Sequence, residues 1–239
     1  MLHMDLTALK QYAKKVWHFL WYEDSIWSWI ANIIIAFILI KFVVYPLISL
    51  LLATQLPIVA VVSGSMEHKF APDCTNYLSN GLCISYSHAS YNLCGIEQTT
   101  GYSVDLDTYW QQCGAWYEQR NITLDAFASF KFTSGFNTGD VMVVRGKPWN
   151  SIVVGDIIVW FAQDGTPIIH RVVKITEVNG VRTLQTKGDH NSDQITTGLR
   201  TETNIKQNQY VGVAVFRIPW LGNVKLFAVR AIDWLRAAI

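Results

Sequence analysis

The chain has 239 residues and a formal charge of +1; 51% of it is hydrophobic and only 15% is charged. That length leaves room for one ordinary domain of about 100 to 200 residues beside a membrane segment, and without clustered Lys and Arg there is no electrostatic reason to expect a nucleic-acid partner. An aromatic share of 13%, with ten Trp, skews the composition toward membrane contact, since Trp and Tyr favour the membrane interface.

At the N-terminus Leu9, Ala13, Val16, Trp17 and Leu20 recur at helical spacing with Lys10, Lys14 and Lys15 nearby, which predicts a helix lying in a membrane surface. The stretch Ile30 to Ala53 is apolar apart from Asn32, Lys41, Tyr45 and Ser49. As a helix it covers roughly 36 Å, enough to cross a hydrocarbon core of about 30 Å with some tilt. Lys41 in its middle costs roughly 3 kcal/mol unless it snorkels or finds a partner. Pro46 is placed to kink this helix, and Pro57 to end it and begin an extended segment. Lysines precede the span and only Lys69 follows closely, so the positive-inside rule puts the N-terminus in the cytoplasm and the rest outside. The apolar run is too long and starts too late for a cleavable leader.

Residues 70 to 136 are rich in Ser, Asn, Thr, Gly and Tyr and hold all four cysteines, Cys74, Cys83, Cys94 and Cys113. Outside the cytoplasm such a segment reads as stapled by two disulfides, with three pairings open. A zinc site is the rival reading, but no pair has Cys-x2-Cys spacing and only His88 lies among them. Asn121-Ile122-Thr123 has the form of a glycosylation sequon, a short pattern that also arises by chance.

From Gly139 the pattern changes to short β-rich runs divided by turns: Val141 to Val144, Ile157 to Phe161, Ile168 to Ile175, Thr183 to Thr186 and Tyr210 to Phe216. They predict a β-sandwich or small barrel. Gly139-Asp140 and Gly155-Asp156 introduce two of these runs, and each Asp is expected to be a turn residue bonding its own backbone. Beyond Arg217-Ile218-Pro219-Trp220-Leu221-Gly222, the stretch Leu226 to Ile239 has one apolar helical face and is too short to span a bilayer, so an interfacial helix is expected.

The motifs that carry chemistry are Ser63-Gly64-Ser65-Met66, the lone His170 in Pro167-Ile168-Ile169-His170-Arg171-Val172-Val173, and the turn Lys187-Gly188-Asp189-His190-Asn191-Ser192-Asp193. In the phrase Ile58 to Glu67 the chain resembles the signal peptidase I family, the membrane serine proteases that cut leader peptides from exported proteins. The two Gly-Asp turns and the Arg217 to Gly222 segment are similar to family motifs as well. The resemblance covers residues 56 to 69 and about 136 to 222, and leaves the cysteine-bearing segment unexplained.

The resemblance implies that Ser65 is the nucleophile. A Ser hydroxyl needs an adjacent acceptor with a pKa near the working pH. On composition alone His170 would be a structural residue of its strand; the resemblance makes it the general base, because the family places its base immediately before Arg-Val-Val. Bacterial-type members carry Lys there, whereas the archaeal and endoplasmic-reticulum branch carries His, so the chain resembles the Ser-His branch. A buried lysine with a lowered pKa could also serve, and Lys187 is that alternative. An acid must orient the far ring nitrogen; Asp193 is matched to the role, with Asp189 as its competitor. The Ser65 backbone N–H and the Ser63 hydroxyl are oxyanion donors by resemblance, unless Ser63 only satisfies a turn. Substrate is expected to add as a β-strand between the segment ending at Val61 and Val62 and the strand at Ile168 and Ile169, with Met66 alongside, in pockets for small residues as in Ala-x-Ala leader ends.

These readings assemble into a mainly β protein with a signal peptidase-type catalytic domain. Residues 1–56 form the interfacial helix and anchor, 57–69 and 137–222 the catalytic β-domain, 70–136 the extracytoplasmic disulfide-stapled insert, and 223–239 a C-terminal amphipathic helix. The expected function is a single-pass serine endopeptidase of the cell or endoplasmic-reticulum membrane, without cofactor or metal. Its expected partners are the signal peptides of secretory pre-proteins, membrane lipid and accessory membrane subunits. The alternative is a catalytically silent, membrane-anchored β-domain acting as a binding or assembly subunit.

Overall fold

A computed structural model describes residues 6–77, 83–223 and 226–227 of the chain. It divides into two compact units, Met1–Leu51 and Leu52–Ile239.

In the first unit, helix α1 (Leu6–Trp21) is followed by α2 (Ile26–Leu39), a wide π-helical turn (Ile40–Val44) and α3 (Tyr45–Leu51). The last three run on as one apolar helix, Ile26–Leu51, long enough to cross a membrane. It starts earlier than the apolar run does because Ser25 caps it, its side chain accepting from Ser28 N at 3.2 Å. Two polar side chains near its start complete the end of α1. The Ser28 hydroxyl donates to Phe19 O at 2.6 Å and the Asn32 amide to Leu20 O at 2.9 Å, satisfying carbonyls that a helix end leaves open. Pro46 has no N–H for the carbonyl one turn back, and the wide turn just before it, closed by Tyr45 N to Ile40 O, takes up the irregularity. Lys41 Nζ lies over the Phe37 and Phe42 rings, 5.9 and 5.5 Å from their centroids.

The second unit is built on a six-stranded antiparallel sheet. Its strands are β1 (Ile58–Ala60), β5 (Val141–Arg145), β6 (Ile157–Phe161), β7 (Pro167–Val178), β8 (Val181–Lys187) and β9 (Tyr210–Ile218), in the spatial order β1-β5-β9-β6-β7-β8. Between β1 and β5 the chain forms a three-stranded sheet of β2 (Ala71–Tyr77), β3 (Cys83–Leu93) and β4 (Ile96–Gln98), then helices α4 (Leu106–Glu118) and α5 (Leu124–Ala128). The five β-rich runs are all strands, and β6 has the bounds its sequence predicts. They lie in one six-stranded sheet, where a sandwich or barrel had been expected. The C-terminal helix expected over residues 223–239 lies outside the described residues except at Asn223, Leu226 and Phe227.

Both Gly-Asp pairs are turns. Gly139 and Gly155 sit at φ +91 and +96, where a side chain is strained, and let Asp140 accept from Asn137 N at 2.7 Å and Asp156 from Val153 N at 2.9 Å.

Among the described residues three cores hold this unit. Ile158, Trp160, Val172, Leu184 and Val213 form one on the sheet, and Val61, Met66, Phe136, Met142 and Ile157 form another beside it. The third belongs to the cysteine-bearing segment. Tyr109, Trp110, Tyr117 and Phe127 pack there with Phe70 and Leu93 and bury Val173 of β7. The segment's polar composition hid this core, because a few aromatic side chains bury as much area as many aliphatic ones. Cys74 pairs with Cys83 across β2 and β3, and Cys94 pairs with Cys113 on α4. With every cysteine so used, the zinc reading of the segment falls. Thr123 of the sequon caps α5, its hydroxyl accepting from Ala126 N.

Candidate active site

Ser65 follows β1 in a tight turn, Glu67 N bonding Gly64 O at 3.0 Å. Its hydroxyl lies 2.8 Å from His170 Nε2, although 105 residues separate the two. His170 is 4% exposed and sits on β7, opposite Ile158. Its other ring nitrogen, Nδ1, lies 2.5 Å from Glu202 Oε1. An ionised carboxylate only accepts, so Nδ1 carries the proton and Nε2 is left free to accept from the Ser65 hydroxyl.

Glu202 is fully buried and multiply held. Oε1 also accepts from the Thr186 hydroxyl at 3.0 Å, and Oε2 from Ile195 N at 2.8 Å. Its backbone runs beside β8, with Thr186 N donating to Glu202 O and Glu202 N to Ile195 O. This corrects the expectation that Asp193 or Asp189 bonds the ring. Asp193, its side chain 64% exposed, accepts from Trp116 Nε1 at 2.8 Å, which lowers its pKa. Asp189 is buried and belongs to a different network.

In that network Asp189 accepts from Arg171 Nε at 2.9 Å, Arg171 Nη2 at 2.6 Å, His68 Nε2 at 3.1 Å and the Tyr117 hydroxyl at 3.2 Å. Burial alone would raise its pKa, but Arg171 and His68 outweigh it and hold the carboxyl far below the usual range. The remaining Arg171 donors reach Lys131 O, Phe132 O and Gly155 O. A buried guanidinium with its donors used this fully is a structural tie.

Lys187, the alternative base, is buried with Nζ 3.0 Å from Gly188 O and 5.0 and 5.1 Å from the Trp116 and Tyr117 ring centroids. Desolvation lowers its pKa to about 8 against the pull of Asp189 and Glu202. The nitrogen bonded to the Ser65 hydroxyl is that of His170. The Ser63 hydroxyl lies 3.3 Å from that of Ser65, within hydrogen-bond distance.

A cavity of about 690 Å³ opens on Ser65. One wall is Val62, Ser63 and Gly64, and a second is the loop His190 to Asp193. The third comes from the cysteine-bearing segment: Ala71, Pro72, Asp73, Tyr86 and the Cys74–Cys83 bridge. Of the residues expected to meet substrate, Val62 lines this cavity, whereas Val61 and Met66 are buried in the core with Phe136 and Met142. Ile168 packs against the Trp160 core and Ile169 against the Met66 core. Along residues 167–170, β7 pairs with β6 on one edge, and its pairing with β8 begins only at Arg171, so the other edge carries no strand among the described residues. No cluster of three or more His, Cys, Asp or Glu among the described residues is arranged to hold a metal.

No family model matches the chain. Among curated proteins it is 27% identical over 107 residues to the signal peptidase complex catalytic subunit of Metarhizium acridum, matching 44% of this chain and 62% of that protein. It is 32% identical over 88 residues to the signal peptidase complex catalytic subunit of Schizosaccharomyces pombe, matching 36% of this chain and 45% of that one. The likeness is to the signal peptidase I family. The chain spans less than two thirds of the length of either relative. The two motifs on which the signal peptidase I resemblance rests, around Ser65 and around His170, are those whose side chains meet at 2.8 Å. Glu202 lies in neither. It stands between two threonines, Thr201 and Thr203, with no local pattern to mark it, and only the pairing of its segment with β8 brings it to the ring.

Proposed function

We propose that the chain is a membrane-bound serine endopeptidase that removes N-terminal signal peptides from exported pre-proteins, cutting after small residues. The observation that carries this reading is the unbroken line from the Ser65 hydroxyl through His170 to Glu202. His170 Nε2 takes the hydroxyl proton as Oγ attacks the scissile carbonyl, and Glu202 stabilises the imidazolium that forms. The Ser65 N–H and the Ser63 hydroxyl serve the developing oxyanion. When the C–N bond breaks, His170 returns the proton to the leaving amine. Water then enters and loses its proton to His170 as it attacks the ester carbonyl, and His170 gives that proton to Ser65 Oγ as the ester C–O bond breaks. The substrate backbone adds to the open edge of β7 at Ile168 and Ile169 and runs past Val62.

The relatives are named as catalytic subunits of a complex, so accessory membrane subunits are proposed as partners here too. The Ile26–Leu51 helix is the proposed anchor, with the lysines of α1 on the cytoplasmic side and Ser65 on the far side. The test is cleavage of a pre-protein with a small-x-small leader end, reconstituted in lipid, by the wild-type chain, Ser65→Ala and His170→Ala. Cleavage by wild type alone is expected. Equal cleavage by Ser65→Ala, or none by any folded chain even with partner subunits supplied, would leave a silent binding domain.

A further inference from the structure

The turn Gly188-Asp189-His190 holds the nucleophile from behind. His190 N donates to Ser65 O at 2.9 Å. Gly188 passes so close that a Cβ on it would stand 2.6 Å from Ser65 O and 2.9 Å from His170 Nε2. Arg171 of β7 and His68 hold the turn through Asp189, and further groups that hold its far side come from the cysteine-bearing segment. The Tyr109 hydroxyl on α4 donates to Asp189 O at 2.8 Å, and Tyr117, two turns along the same helix, donates to Asp189 Oδ1. Cys94 N donates to His190 O at 2.9 Å, and Cys94 is tied by its disulfide to Cys113 on α4. His68 closes the arrangement, stacked on the Tyr109 ring at 3.7 Å with an interplanar angle of 1° while bonding Asp189 Oδ2. Both phenols are buried, and desolvation raises their pKa well above the ordinary value, so they stay protonated donors across the physiological range.

We infer that helix α4 and the Cys94–Cys113 disulfide form a clamp that sets the catalytic serine, with Tyr109 as its principal positioning residue. This rests on Ser65 being the nucleophile. It gives the cysteine-bearing segment a part in the reaction, and makes the rate depend on a bond that a reductant can open.

The clamp is tested on the full chain in lipid with Tyr109→Phe, Cys94→Ala/Cys113→Ala and, as a control, Ile122→Ala, which alters the same core without touching the turn. Two readouts are taken well below each variant's melting temperature: kcat and KM for a leader peptide, and backbone amide exchange. For Tyr109→Phe the expectation is a fall in kcat of at least tenfold with KM changed less than threefold. Exchange at residues 188–193 should rise at least tenfold, with β9 unchanged. The disulfide variant should behave likewise, and Ile122→Ala should keep kcat within threefold. Exchange at 188–193 that is unchanged in Tyr109→Phe overturns the clamp whether or not the chain cleaves. So does a kcat loss below tenfold, or one that Ile122→Ala reproduces. Absence of Ser65-dependent cleavage by wild type would instead sink the peptidase reading, leaving the exchange result to decide the clamp.

Discussion

Replacing Glu202 by Gln changes one atom and poses a problem with no good solution in the site. The carboxylate accepts at both oxygens: Oε1 from His170 and the Thr186 hydroxyl, Oε2 from Ile195 N. If the Gln oxygen stays toward His170, its NH2 meets the Ile195 N–H and two buried donors face each other. If the amide flips, the oxygen serves Ile195, but the NH2 then points at His170 Nδ1 and is satisfied only when that nitrogen accepts. The proton must then sit on Nε2, where it faces Ser65 and cannot be exchanged for the hydroxyl proton. The wrong tautomer in an orienting-acid site costs about 10⁴ in kcat, or roughly 5 kcal/mol of transition-state stabilisation. The assay is single-turnover cleavage of a leader peptide by the lipid-reconstituted chain, with circular dichroism confirming the fold. Glu202→Gln is expected to fall by about 10³ to 10⁴-fold with KM little changed. Cleavage within tenfold of wild type would refute Glu202 as the orienting acid. Loss in Asp193→Asn of the size expected for Glu202 would return the role to Asp193.

Gly188→Ala should cost cleavage at least ~100-fold, because its methyl would displace Ser65 O or the His170 ring, and a 1 Å misplacement at reacting groups carries about that penalty; full activity in the purified variant would contradict the close approach. Lys187→Met should retain cleavage and gain stability at pH 7 on the order of 1–3 kcal/mol, read by denaturant unfolding. Its pKa is near 8 folded and about 10.4 unfolded, so between these values the native state binds fewer protons and wild-type stability rises with pH. The advantage of Lys187→Met should fade across that window, whereas its cleavage falling to the Ser65→Ala level would make Lys187 the base. Asp189→Asn leaves the Arg171 charge buried without its counter-charge and should cost about 3–5 kcal/mol. Asp189's depressed pKa stabilises the fold above the unfolded carboxyl value, near 3.9, and that contribution is lost as pH falls below it; acid unfolding of Asp189→Asn should therefore be flatter below about pH 4.

The strands and the apolar helix were legible because each is a local pattern. Alternation with β-branched residues marked β5 through β9, and a long apolar run marked the span. Ser65 and His170 were found by motif, and their meeting needed the fold. Asp193 was matched to the orienting role by resemblance, with Asp189 as its competitor, yet Trp116 and Gln194 N take the Asp193 carboxylate in a loop facing solvent. Glu202 could not be read because its position depends on a backbone pairing of the 202–205 segment with β8. The core of the cysteine-bearing segment was missed for a compositional reason: Tyr109, Trp110, Tyr117 and Phe127 are spread thinly among polar residues and converge only when α4 and α5 form. Val61 and Met66 were read as substrate contacts from their neighbourhood to Ser65, but Val61, just past the end of β1, and Met66, in the turn after Ser65, both pack into the core with Phe136 and Met142.

The bonds from Ser28 and Asn32 to the last carbonyls of α1 also bear on how the N-terminal unit meets a bilayer. They turn the joint at residues 22–25 into a bracket that ties the end of α1 to the start of the apolar Ile26–Leu51 helix. In the proposed anchor, Lys10, Lys14 and Lys15 would be coupled through that bracket to the start of the apolar helix, and tilting the helix to suit a thinner membrane would lift or sink the charged helix with it.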